Sequence, residues 1–153
     1  MSRNDLASQS ASHGAEPDES DYHALAEFRS LLRRFLAFSD AAAAAAGLTA
    51  QRYQALLAIK VHAGGDISVG ALAEELLIKP HSAAELVNRL EAAGLVRRCS
   101  DTSDRRRVLL TLTEAGSSRL SQLARAQLDE LEAQRAALMS FVDALQKTGR
   151  SSR

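Results

Sequence analysis

The segment from Ser68 to Gly116 constrains the fold more than any other part of this chain. Ser68 suits the N-cap of a short helix through Leu76, and Pro80 suits the first turn of a second helix that Gly94 ends. The sequences LVRRC and RVLLTLT then read as two short strands, because apolar residues alternate along them and only the turn residues SDTSDRR lie between them. The predicted order is therefore helix, tight turn, helix and β-hairpin.

This order is that of a winged helix-turn-helix, and helical patterns flank it on both sides. Apolar residues recur at helical steps from Asp21, six alanines extend that segment, and Gly47 suits its end. Thr49 suits the start of the next helix, and Thr113 suits the start of a long last helix with an apolar stripe to Leu145. We therefore predict a mainly α fold, in which a winged helix-turn-helix is combined with long N- and C-terminal dimerisation helices.

The length of the last helix is the reason for predicting a homodimer. So small a domain cannot bury the whole apolar stripe, whereas two copies can pack their terminal helices together. The alternative is a last helix that breaks near Met139 and folds back on its own subunit. The predicted divisions are a disordered acidic tail (1–20), an N-terminal dimerisation helix (21–47), the winged helix-turn-helix (48–113), C-terminal dimerisation helices (114–146) and a frayed tail (147–153).

Composition excludes several classes of protein. At 153 residues the chain suits one domain with appended helices, and its one cysteine, Cys99, excludes an intramolecular disulfide. No apolar run reaches the length of a membrane span or resembles a signal peptide, so we expect a cytoplasmic protein without a membrane partner. The sequence has no metal-ligand cluster, glycine-rich phosphate loop or nucleophile–base pair. We therefore expect no enzyme activity, no catalytic residues, no metal and no cofactor.

The helix that begins at Pro80 has the pattern of a DNA-recognition helix. Its apolar residues recur at helical spacing on one face, and its other face carries groups that can reach base edges or phosphates in a major groove. These candidate recognition residues are His81, Ser82, Glu85, Asn88 and Arg89. Lys79, just before the helix, is a candidate phosphate contact. The alternative interpretation of this face is an ordinary solvated surface.

Local charge favours the DNA-binding interpretation, although the chain has no net charge. Between residues 79 and 107 there are seven cations and four acids, which leaves three positive charges in the suspected binding unit. Arg105 and Arg106 lie at the tip of the hairpin, where they can enter a narrow minor groove or bind a phosphate, and Arg107 begins the second strand. Asp104 can orient Arg106 by a bidentate pair. The alternative is a surface salt bridge, which contributes little.

These motifs resemble the multiple-antibiotic-resistance regulator (MarR) family of bacterial winged-helix transcription factors. The resemblance covers about residues 48–131 and rests on LAEEL, LVNRLEAAGLVRR, DRR and LTEAG in this order. The family's wing pattern, D-x-R-D-x-R, is matched at Asp101, Asp104 and Arg106, whereas Ser103 stands where arginine is common. Arg105 is available to compensate.

The resemblance implies a homodimeric repressor on a palindromic double-stranded operator, with a recognition helix in each major groove and a wing in the flanking minor groove. It also implies a small aromatic or phenolic effector, bound between the dimerisation helices and the DNA-binding lobe, that weakens operator binding. Such a protein is associated with the nucleoid when it is bound to DNA.

Two other functions fit parts of the sequence. One is a winged-helix module that binds proteins rather than DNA, against which the arginine tip and the polar helix face argue. The other is a thiol-based regulator that senses oxidants through Cys99, although this cysteine lies at a strand end beside the wing. Release of DNA by peroxide from the wild type but not from Cys99→Ala would support the second.

Overall fold

A computed structural model of the chain describes residues 16–101, 104 and 107–148 and confirms a mainly helical winged helix-turn-helix. The elements are α1 (Glu19–Ala45), α2 (Ala50–Val61), a 3₁₀ turn (Ala63–Gly65), β1 (Asp66–Ser68), α3 (Val69–Glu75), α4 (Pro80–Ala92), β2 (Val96–Ser100), β3 (Val108–Leu112), α5 (Glu114–Ala133) and α6 (Arg135–Thr148). Two compact units are present. One holds the described parts of Met1–Arg34 and Ala133–Arg153, and the other, Phe35–Glu132, contains the winged helix-turn-helix.

The first helix begins two residues earlier than the sequence pattern predicts. The Asp18 carboxylate accepts from the backbone N–H of Ser20 at 2.8 Å and of Asp21 at 3.1 Å, which satisfies donors that a helix start leaves unpaired. The Ser20 hydroxyl and the Asp21 N–H lower the pKa of the Asp18 carboxyl group. Helix α1 therefore starts at Glu19, inside the predicted tail, and the rest of that tail before residue 16 lies outside the described residues.

Most of the predicted helix boundaries follow from local capping. The side chain of Thr49 accepts from the Arg52 N–H at 3.2 Å at the start of α2, and Ser68 accepts from the Ala71 N–H at 3.2 Å at the start of α3. Pro80 occupies the first turn of α4. After α4, Gly94 adopts a φ of 70°, a left-handed conformation that glycine reaches without steric cost.

A three-stranded antiparallel sheet packs against the helices of the second unit. Its central strand is β3, where Leu110 lies opposite Ile67 of β1 and opposite Arg98 of β2. The predicted hairpin is confirmed, but β1 was missed because three residues are too few for an alternating pattern. On β3 the predicted apolar face is buried at Leu110, whereas Val108 remains 44% exposed towards the wing tip. The largest fully buried side chains of the core are Leu56, Ile59, Ile67, Leu72, Leu90, Leu110, Val87 and Val96.

The base of the wing is held by a direct contact between α5 and the chain that leaves α4. The Thr113 hydroxyl donates to the Gly94 carbonyl at 2.6 Å and accepts from the Gly116 N–H at 3.0 Å, while the Thr113 N–H donates to the Leu95 carbonyl at 3.1 Å. A Cβ atom added at Gly116 would lie 2.0 Å from the Leu95 carbonyl oxygen. Only glycine therefore allows the first turn of α5 to approach this closely.

The last helix is interrupted, so the prediction of one long helix is wrong. Helix α5 ends at Ala133 and α6 begins at Arg135, with the break at Gln134 rather than near Met139. In the first unit the Phe141 ring of α6 stacks on the Phe28 ring of α1, with 4.3 Å between ring centroids and 11° between planes. No glycine or proline near residue 134 signals this break in the sequence. Of the predicted frayed tail, residues 149–153 lie outside the described part of the chain.

None of the helices that the structure describes is long and apolar enough to cross a membrane.

We expect Gly116→Ala to destabilise the protein by about 3 kcal/mol and to lower the melting temperature by about 10 °C, because the methyl group would overlap a backbone atom that cannot move away alone. Thermal unfolding followed by circular dichroism measures this change. Gly70→Ala is the matched control: its Cβ would meet only the Ser68 hydroxyl, at 4.0 Å, and alanine in α3 should stabilise by about 0.5 to 1 kcal/mol. Equal melting temperatures for the two variants would contradict the proposed contact.

Candidate nucleic-acid interface

Helix α4 buries one face and presents the other to solvent, as its sequence pattern predicts. Its apolar residues recur at helical steps and are buried in the core; they are Ala83, Leu86, Val87 and Leu90. Of the five predicted recognition residues, four are exposed and Ser82 is half-buried; the exposed ones are His81, Glu85, Asn88 and Arg89. The structure therefore brings the whole predicted set onto the outer side of one helix.

Two of these outward residues form an ion pair along the helix. The Arg89 guanidinium lies 3.6 Å from the Glu85 carboxylate, in the i, i+4 arrangement, and the two side chains are 61% and 66% exposed. A pair this exposed contributes little to stability, about 0.5 kcal/mol or less. Both side chains therefore keep the freedom to exchange this contact for another.

Asn88 is bound to the wing, which the sequence did not reveal. Its side-chain oxygen accepts from Nη2 of Arg98 at 2.7 Å, and Nη1 of the same guanidinium contacts the Glu91 carboxylate. Arg98 pairs with the buried Leu110 across the sheet, and residues directly opposite in antiparallel strands share a face. Arg98 consequently extends from the side of β2 that faces α4. The sequence did contain one signal for this contact: Arg98 lies two residues after Val96 in the strand, so both side chains are on the same face of the sheet.

The turn before α4 contains a second residue that the sequence pattern did not single out. Leu77 adopts a φ of 53°, a conformation that costs an L-residue about 1 to 2 kcal/mol, and its side chain is 92% exposed. The N–H of the next residue, Ile78, donates to the Ala73 carbonyl at 3.0 Å and closes the end of α3. Lys79, the predicted phosphate contact, is exposed at the N-cap of α4.

The base of the wing loop is closed by backbone hydrogen bonds. The Asp101 N–H donates to the Arg107 carbonyl at 3.0 Å, and the Arg107 N–H donates to the Asp104 carbonyl at 2.9 Å. The Arg107 guanidinium, on a 60% exposed side chain, lies 3.8 Å from the Asp101 carboxylate. Arg105 and Arg106 lie outside the described residues, so the predicted pairing of Asp104 with Arg106 stays a prediction.

Cys99 is half-buried on β2 opposite Leu109, on the face of the sheet that Arg98 does not share. Within residues 16–101, 104 and 107–148, no group of three histidine, cysteine, aspartate or glutamate side chains is placed to hold a metal ion.

Comparison with known proteins agrees with this geometry. The model of the MarR family matches residues 46–107. Two curated relatives come from Bacillus subtilis (strain 168). The HTH-type transcriptional repressor MdtR is 31% identical, over 50% of this chain and 48% of its own length. The uncharacterized HTH-type transcriptional regulator YcgE is 35% identical, over 64% of this chain and 62% of its own length. The chain thus spans about half to three fifths of the length of these relatives.

Among solved structures, a mutant of S. aureus MepR bound to an oligodeoxyribonucleotide has the same fold. Its TM-score is 0.64 at 20% sequence identity, and the match covers 86% of this chain and 98% of that one. With its α3–turn–α4 unit followed by a wing, and with these matches, this part of the chain is similar to the MarR family of winged-helix transcriptional regulators.

Proposed function

We propose that the chain is a homodimeric repressor that binds a palindromic DNA operator and is released by a small aromatic or phenolic effector. The observation that carries the DNA-binding proposal is the outer face of α4, where His81, Glu85, Asn88 and Arg89 stand exposed beside the wing. Such a helix fits a major groove, with its first residues at the base edges.

The residues divide into two kinds of contact. Lys79 and Arg105 are the candidates for phosphate contacts, which supply affinity without sequence preference and make binding depend on salt. Arg106 is the candidate for the minor groove, where a narrow A·T-rich segment attracts a guanidinium. The face of α4 supplies the sequence preference. The relative MdtR is a transcriptional repressor and the MepR mutant was solved bound to an oligodeoxyribonucleotide, and both support this assignment.

Selection of bound DNA from a random pool with the purified protein tests the proposal. We expect a palindrome whose half-sites are about one helical turn apart, because two recognition helices related by a two-fold axis meet the groove at that spacing. Absence of any enriched sequence would contradict DNA binding and favour the protein-binding module.

On the selected operator, Arg106→Ala should weaken binding by about 10-fold or more, since it removes a charged contact worth roughly 1.5 to 3 kcal/mol. Fluorescence anisotropy measures the affinity, and circular dichroism checks that the variant is folded. Arg125→Ala, which removes an exposed arginine of α5, is the control and should bind as the wild type does. Undiminished binding by Arg106→Ala would remove this residue from the interface.

The proposal of a homodimer rests on exposed apolar side chains of the first unit. Six large apolar residues on α1 and α6 are between 39% and 58% exposed: Tyr22, Leu25, Leu32, Met139, Val142 and Leu145. The three on α1 recur at spacings that put them on one helix face. Large apolar side chains exposed together on one helix face are typical of an interface. A second copy of the chain covers them most simply, since a two-fold dimer also matches a palindrome.

Sedimentation equilibrium should therefore give twice the 16.4 kDa of one chain for the wild type. The double variant with Leu25→Asp and Leu32→Asp should dissociate into monomers, because association would bury unpaired carboxylates. His23→Asp, at an exposed position on another face of α1, should remain dimeric. A wild-type protein that is monomeric at micromolar concentration would contradict the dimer.

The effector has a candidate site inside the first unit. A cavity of about 310 Å³ lies against the stacked Phe28 and Phe141 rings. Arg34 also lines it and donates to the Ser30 hydroxyl at 2.9 Å. Glu27 lines the cavity as well, so one cation and one carboxylate lie beside the aromatic rings. An aromatic acid suits this lining, because the rings can stack on the ligand while the Arg34 guanidinium pairs with its acid group. The volume is in the range of small-molecule sites.

Salicylate, a phenolic aromatic acid, is the probe for this site. We expect saturating salicylate to lower operator affinity by about 5- to 150-fold, the usual size of coupling between two sites. Arg34→Gln should lose this response while it keeps its affinity for the operator. Arg33→Gln, at the exposed neighbouring position, is the matched control and should respond normally. An Arg34→Gln protein that responds as the wild type does would exclude this cavity.

A further inference from the structure

We infer that Arg98 restricts the base that Asn88 reads to guanine, because it holds the amide oxygen towards β2 and leaves the amide nitrogen of Asn88 to recognise bases as a hydrogen-bond donor. This inference rests on the proposed binding of DNA by α4. Arg98 lies on the face of the sheet that packs on the core, and the inference makes it a positioning residue: it orients Asn88 and so sets the base preference.

The orientation of the Asn88 amide follows from the chemistry of its partner. A guanidinium has only donors, so the group that faces Nη2 of Arg98 at 2.7 Å must be the amide oxygen and not the amide nitrogen. The amide therefore has one allowed orientation. The Asn88 amide nitrogen, with two hydrogens, is at the opposite end.

Arg98 is itself held in place. Its Nη1 contacts the Glu91 carboxylate, one turn along α4 from Asn88, so a single guanidinium bridges two residues of the helix from the strand. The Arg98 side chain is 32% exposed and that of Glu91 is 41% exposed, which shields this pair more than the outward Glu85–Arg89 pair. The carboxylate also neutralises Arg98, so its charge serves this bridge rather than a phosphate.

The fixed amide changes which bases fit. Asparagine commonly reads adenine with both ends: its oxygen accepts from the N6 amino group while its nitrogen donates to N7. The bond from Nη2 takes one lone pair of the oxygen and holds that end of the amide towards β2. The nitrogen is then the end that reaches a base, and a donor fits an edge with two acceptors. In the major groove guanine presents such an edge, O6 and N7. Adenine offers only N7 and places an amino group beside it.

The operator selected by the wild-type protein provides the test. Asn88→Ala should relax one position in each half-site, and we expect that position to be a G·C pair in the wild-type operator. Replacing its guanine by 7-deazaguanine should weaken wild-type binding by about 5-fold or more, and should not weaken binding by Asn88→Ala. An A·T pair at the relaxed position, or no relaxed position, would overturn the inference.

Two variants and one control separate positioning from stability. Arg98→Ala frees the amide oxygen, so discrimination against adenine at this position should fall to about 2-fold or less. Arg97→Ala, on the opposite face of the same strand, is the matched control and should discriminate as the wild type does. Asn88→Asp retains a partner for Arg98 but has no donor, so it should stay folded and lose the preference for guanine. An Arg98→Ala protein that is folded and still rejects adenine would overturn the inference.

The outcomes also distinguish this inference from the function on which it rests. A wild-type protein that enriches no DNA contradicts the proposed function. Enrichment of an operator whose Asn88-dependent base pair is not read through guanine contradicts the role of Arg98 and leaves DNA binding intact.

Discussion

The contact between the start of α5 and the carbonyl of Leu95 fixes the geometry on which the other parts of the winged helix depend. It joins the end of α4 to the end of β3, because Thr113 bonds to both Gly94 and Leu95 and Gly116 leaves room for the approach. The start of β2 and the end of β3 are therefore held together at this contact. Without a glycine there, α5 would move away and the wing would lose its support.

This arrangement prepares a binding surface before any partner arrives. The wing is fixed at its base by Thr113 and at its side by Arg98, which bonds to two residues of α4. A helix and a wing that are already joined lose less conformational entropy on binding than two independent elements would. Rigid positioning of this kind favours specificity, because a misplaced base cannot be accommodated by a shift of one element alone.

Local chemistry explains which features could be predicted from the sequence. Thr49, Ser68, Pro80 and Thr113 act on backbone groups a few residues away, so their roles as helix starts were readable. The outer face of α4 was readable for the same reason, through its helical period. The link from Arg98 to Asn88 depends on strand register and the packing of α4, and the break at Gln134 coincides with the packing of α6 on α1. Neither the Arg98–Asn88 bond nor the break at Gln134 produces a recognisable pattern in the neighbouring sequence.

Leu77 marks a position where the stability of this protein can be raised. It is the one non-glycine residue with positive φ in the described part of the chain, and its side chain gains almost nothing from burial. The strain is therefore a cost that the core of the helix-turn-helix already covers. For protein engineering, this makes the turn a natural first position for glycine or asparagine, since either accommodates the backbone there without disturbing α3 or α4.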